Sequence, residues 1–204
     1  MTTGLASPQG APATARFAQA LETLRTSKKR KVDRLYFALW FRLDQTDGYL
    51  IWIQDDQDSV LVEVDLLIPV FRSESSLALY AKERSIEIVD EEPVLHDLDA
   101  IREWLSKPDQ HIDCHEFLAA WNLFTDVSTG TERKFTGSKK DKLTSKLYDK
   151  LFFGNNLPAV TPPNEYYIPQ WQEAERQRLF EVMTEGLQLF ERSSKVIENK
   201  RPSA

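Results

Sequence analysis

The chain has one cysteine, Cys114, in 204 residues, so no internal disulfide can brace it. Its seven glycines form neither a phosphate-cradling G-x-x-x-x-G-K-[ST] or G-x-G-x-x-G motif nor the nucleophile elbow G-x-S-x-G. Three histidines leave little material for a metal centre. No apolar run approaches the ~18–20 residues that cross a bilayer. The first fifteen residues lack the basic and apolar regions of a secretory signal. These absences argue against membrane, nucleotide-cofactor and common hydrolase classes, and the expected compartment is a reducing cytoplasm.

What is present is an ordinary globular composition, 41% hydrophobic and 28% charged. The net charge of −6 is unevenly spread. Residues 1–34 carry seven Lys/Arg against two Asp/Glu, residues 44–116 five against nineteen, and residues 133–150 seven against two. The acidic middle suits a solvated face, a basic partner or the chain's own basic segments.

Hydrophobic period places the elements. Residues 1–15 read as a disordered tail, with one α+β domain over 16–204. A short helix is expected at 16–26. Residues 34–42 are almost continuously apolar, as in a strand covered on both faces. Turn residues at 44–48 and 55–59 separate it from strands at 49–54 and 60–64, with a fourth at 66–71 and a fifth at 86–89. The resulting expectation is an antiparallel meander of about five strands over 34–90. Helices are expected at 74–83, from Asp97 to 107, at 114–127 after Asp113, from Ser138, with Asp141 completing its start signal, to 153, and at 170–197. Gly154 is expected as the left-handed residue closing the fourth of these. Strands first and helices over 97–198 make the fold class α+β with a helical C-terminal half.

Few clusters carry chemistry. His111, Cys114 and His115 lie close in sequence, but H-x2-C-H is not a zinc-site spacing. Adjacent helical residues do not face each other, so His115 is a poor base for Cys114. The expectation is a helix start with a buried thiol, no metal and no cofactor. Asp55, Asp56 and Asp58 lack the later glutamate of a calcium loop. The basic run at 28–31 has no nucleic-acid motif beside it in an acidic chain. No nucleic-acid or membrane partner is expected.

The segment 150–171, KLFFGNNLPAVTPPNEYYIPQW, holds four prolines and five aromatics. The prolines exclude a helix, and the aromatics are too many for a solvated linker. It reads as an ordered loop packed between helices. Asn155, Asn156, Glu165, Tyr166, Tyr167 and Trp171 are its candidate binding residues, through amide hydrogen bonds and aromatic contacts.

Residues 66–77, LLIPVFRSESSL, resemble the strand-to-helix element of SseB-like (enhanced serine sensitivity) domains. There a strand ending in Pro-Val-Phe-x-Ser leads into a short helix, with threonine usual where this chain has Arg72. The resemblance implies an α+β domain of non-enzymatic function and carries no site residues.

The functional expectation is therefore a non-enzymatic protein acting through protein–protein contacts, with a bacterial accessory, regulatory or immunity-type role as its concrete form. The alternative is an enzyme whose Asn155, Asn156, Asp126 and Glu165 meet only in the fold. Residues 1–15 have no apolar periodicity, so deleting them is expected to leave the melting temperature within a few degrees. A large drop in thermal melting would show that they dock on the fold.

Overall fold

The computed structural model describes residues 34–162 and 165–198. The expected tail at 1–15, the helix at 16–26 and the basic run at 28–31 lie outside them. The fold is α+β, with strands leading and helices packed against them. Among the described residues no helix is long and apolar enough to cross a membrane.

Strand β1 (Leu35–Leu43) pairs antiparallel with β2 (Thr46–Gln54), which pairs with the short β3 (Ser59–Val60). Its apolar run follows from its position. Leu39 and Phe41 enter the main core beneath the C-terminal helices, while Tyr36 and Ala38 pack in a second core with Phe71, Leu77 and Tyr80. Helix α1 (Glu74–Glu83) covers that second face, and the Ser73 hydroxyl caps it by accepting from Ser76 N–H.

The β1–β2 turn is tighter than its sequence suggests. Asp44 and Gln45 alone form it, at φ of 54° and 55°. Each is a non-glycine in the left-handed region. The Asp99 carboxylate compensates by accepting both turn amides at 2.7 Å. Gly48, expected in the turn, lies within β2 opposite Phe41. A Cβ there would sit 2.4 Å from the Phe41 ring.

Two strand expectations are corrected. Residues 66–71 do not continue the meander. A turn closed by Leu66 N–H to Glu63 O redirects the chain, and β4 (Ile68–Val70) pairs in parallel with β6 (Ser194–Val196) at the far end of the described chain. Only Phe71 returns to β2, through reciprocal backbone bonds with Tyr49. The expected fifth strand at 86–89 makes a single parallel bridge, Tyr36 with Ile88. The paired strand is β5 (Leu95–Asp97), parallel to β1, so the sheet is mixed, in the order β3-β2-β1-β5. Pro93 and the acidic run Asp90, Glu91, Glu92 favour solvent over the ladder between these two contacts.

The starts at Asp97 and Asp113 hold, and the third moves from Ser138 to Asp141. Asp97, Asp113 and Asp141 cap α2 (Leu98–Ser106), α3 (Cys114–Gly130) and α4 (Lys142–Gly154), each accepting two backbone N–H groups. Ser138 belongs to a 3-10 turn (Thr136–Ser138) instead. Helix α3 runs three residues beyond expectation and is the central one, burying Phe117, Trp121, Leu123, Phe124 and Val127. The final helix, α5 (Glu173–Ser193), is shorter than 170–197. Its stripe Leu179, Val182, Met183, Gly186, Leu187 and Phe190 is buried throughout. Phe190 meets Phe41 edge-on at 4.8 Å between ring centres, which joins this helix to the sheet.

Gly48→Ala is expected to cost about 1–3 kcal/mol by overpacking Phe41. Urea unfolding at neutral pH measures it, and a variant as stable as the parent would show that the ring is free to move aside.

Candidate functional site

The C-terminus of α4 meets the N-terminus of α3, and Asn155, Asn156 and residues 167–171 lie at their junction. Gly154 makes the contact possible, because a Cβ there would lie 2.4 Å from Cys114 Sγ and 3.0 Å from Pro169 Cγ. Gly154 is nevertheless not the left-handed residue. It ends the helix, Asn155 is the C-cap, and Asn156 takes φ of 50°. Asparagine accepts that conformation because its short amide bonds nearby backbone.

Both asparagines are spent on the loop. Asn155 Nδ2 donates to Cys114 O at 3.1 Å and Leu151 O at 2.9 Å, tying the two helices. Asn156 treats Tyr167 as a strand partner would. Its Oδ1 accepts from Tyr167 N at 2.7 Å and its Nδ2 donates to Tyr167 O at 3.1 Å. Behind this clamp the Tyr167 ring packs edge-on to Phe153, centroids 6.2 Å apart.

Residues 165–171 then alternate strictly. Glu165, Tyr167, Pro169 and Trp171 are half-buried, while Tyr166, Ile168 and Gln170 point to solvent. Tyr166 is 84% exposed and Ile168 73%. Trp171 packs against the main core, with Lys150 Nζ 5.4 Å from its ring centre.

The loop's far end rests on a residue that the sequence reading missed. Glu175 is only 1% exposed, yet ionised. Desolvation alone would raise its pKa. The Gln172 N–H, Lys146 at 2.8 Å and Lys150 at 2.6 Å hold it down at about 2. Lys150 also donates to Gln170 O, so one ammonium pins both the loop and the helix start. The available signal was Gln172-x-x-Glu175, a capping box, together with Lys146 and Lys150 one turn apart on α4.

An open cleft of about 560 Å³ lies between the loop and α3, lined by His111, Cys114, His115, Asn155, Asn156, Tyr167 and Trp171 among others. Four of the six loop residues singled out from sequence thus meet there, beside the histidine–cysteine cluster read as inert. Glu165 and Tyr166 do not line it. Asp126 lines a different cleft with Trp52 and His96, so the four residues of the enzyme alternative do not converge.

Asp113, Asn155, Asn156 and Arg176 of the cleft have structural partners. Asp113 caps α3, and Arg176 donates to Pro108 O and Gln110 O. Burial pushes the Cys114 thiol up to about 11, with Asp113 adding to the effect, so it is not a thiolate at neutral pH. Among the described residues no group of three or more His, Cys, Asp or Glu side chains could hold a metal ion.

No family model and no curated protein matches the chain. One similar solved structure is described as the crystal structure of SatS c-terminal domain in complex with bromine. It shares 18% identity over 79% of this chain and 94% of that chain, at a TM-score of 0.44.

Glu175→Gln strands two lysines, one of them largely buried, and is expected to cost about 3–5 kcal/mol at pH 7. The native carboxyl sits below its ordinary 4.5. Its stabilisation is therefore complete above pH 4.5 and lost as pH falls through about 2. Urea melts across that window should converge for parent and variant at the acid end, and parallel curves would refute the assignment.

Proposed function

We propose that this protein acts without catalysis, by docking an extended segment of a protein partner along residues 165–169. One observation carries the reading: an aromatic and an aliphatic side chain are held outward on a strand-like segment pinned from behind. Tyr166 and Ile168 project to solvent while Asn156 holds the backbone of the residue between them. Backbone polar groups alternate sides along an extended chain. Those of Tyr166 and Ile168 therefore face away from Asn156, and they have no hydrogen-bond partner among the described residues.

Such an edge suits strand addition, in which main-chain bonds give affinity and alternate side chains give specificity. Exposed Tyr and Ile are suitable anchors, because a rigid ring loses little entropy on burial and apolar area drives association. Pro169 has no N–H and limits the pairing to a few residues. The spent polar groups of the neighbouring cleft support binding over chemistry. Within this reading, an accessory, regulatory or immunity-type role in a bacterium is the concrete version.

The test is a photo-crosslinking amino acid placed at Tyr166, at Ile168 and, as a control, at the fully exposed Val64. In cells, discrete adducts are expected from the first two positions and not from the third. Identical patterns at all three, or none, would overturn the proposal. Tyr166→Ala should change stability by no more than about 0.5 kcal/mol while losing the partner. Trp171→Ala should instead cost roughly 2 kcal/mol, less than the ~3–5 of a fully buried ring. Calorimetric melting separates the two.

A further inference from the structure

A second cleft, of about 510 Å³, opens on the other side of the sheet's leading edge. It arises from a mismatch in strand pairing. Between the Tyr36–Ile88 bridge and the Trp40–Leu95 pair, β1 advances four residues and its partner seven. The surplus chain, Glu91 to Val94, bows away from β1 and leaves a gap. Tyr36 O accepts from Val89 N, so the backbone of Ala38, two residues on, faces the same side, into the gap.

The walls of the gap are apolar and its rim is acidic. Phe37 and Trp52, with ring centres 5.4 Å apart, form an aromatic wall, and Leu39, Leu123 and Pro93 complete the apolar lining. Asp126 reaches in from α3. Its Oδ2 accepts from Trp52 Nε1 at 2.9 Å, which fixes the carboxyl, and Oδ1 has no hydrogen-bond partner among the described residues. Glu91 and Glu92 stand at the rim, and among the described residues no lysine or arginine lines the cleft. Asn122 Oδ1 accepts from Tyr148, leaving its Nδ2 as a donor.

We infer that this cleft binds an organic ammonium ion with an aromatic or branched apolar body, its charge received by Asp126 and its body held between the Phe37–Trp52 wall and Leu123. The volume suits a small molecule. Aromatic faces beside a carboxylate are the chemistry that recognises amines. The inference is independent of the loop surface above, since the two clefts share no residue.

The titration of Asp126 agrees with this geometry. Burial, and then the nearby Asp58, lift its carboxyl to about 7 against the pull of the Trp52 hydrogen bond. The charged and titratable groups around it are Asp58, Glu91, Glu92, His96 and Tyr148. His96 is held below its usual range by burial, so it is neutral at pH 7 and does not repel a cation. A cation that needs ionised Asp126 should therefore bind more tightly as pH rises from 6 to 8, over which an aliphatic amine stays protonated.

The experiment titrates the full chain with 2-phenylethylamine and cyclohexylmethylamine, and in parallel with 3-phenylpropionate and 2-phenylethanol. Calorimetry and the indole NMR signal of Trp52 report binding. Both amines should saturate and shift that signal, with affinity rising severalfold from pH 6 to 8, while the acid and the alcohol bind at least tenfold more weakly. Asp126→Asn should remove tenfold or more of the amine affinity and the pH dependence, in a protein that melts no lower than the parent. Equal binding of all four probes, failure of both amines, or an unaffected Asp126→Asn variant would each overturn the inference.

Discussion

A carboxylate taken out of water at the first turn of α5 holds the loop surface in place. Glu175 is buried, and burying an unpaired charge is costly enough that the group would ordinarily neutralise. Here Lys146, Lys150 and the Gln172 amide converge on its two oxygens. Because Lys150 also reaches Gln170 O and lies beside Trp171, the pair joins the end of α4, the end of the loop and the start of α5 at one point. Asn156 fixes the other end through Tyr167. Residues 167–170 are held between these two anchors, and Pro169 lowers the entropy to be lost. Tyr166 and Ile168 can then stay outward without collapsing onto the nearest apolar surface.

The second constraint is the double coverage of β1. A strand buried on both faces must choose residues for two cores at once, and α1 on one side with α2, α3 and α5 on the other leave only its edge free. That edge is closed by a parallel partner at each end and left open in the middle. Both proposed surfaces therefore arise where regular hydrogen bonding is interrupted: one where prolines replace a helix, the other where surplus residues leave a ladder. Function concentrates in such places because backbone groups and side chains remain available to a ligand.

Several local signals were legible in the sequence. The Asp97 and Asp113 caps need only a side chain and the next turn, whereas the helix expected from Ser138 starts three residues later, at Asp141. The α5 stripe needs only its own period, and the apolar run of β1 announces two covered faces. Non-local pairings were not legible. Nothing near residues 66–71 says that β6, more than a hundred residues later, will pair with them, since strand pairing depends on which edges the helices leave uncovered. The Asp44–Gln45 turn was misplaced because glycine usually supplies positive φ, whereas here Asp99, brought from α2, stabilises two non-glycine residues. For the loop cleft, the asparagines and aromatics were visible, but their meeting with Cys114 depends on Gly154 letting two helix ends approach. Glu175 was not singled out, because burial cannot be read from an acidic residue's own position.

The buried Glu175 and the half-buried Asp126 show how environment moves a carboxylate's charge in opposite directions. Glu175 is surrounded by cations and donors, and its pKa falls to about 2. Asp126 is desolvated, with one indole donor and a like charge nearby, and rises to about 7. The first group stabilises the fold at every physiological pH. The second opposes folding once ionised, because the folded state holds its charge less well than water does. An asparagine at 126 could accept the same Trp52 hydrogen bond without a charge to bury. A carboxylate at that position is thus explained poorly by stability and well by a cation that completes its coordination. The same reasoning assigns no ligand role to Glu175, whose charge is already met by two lysines.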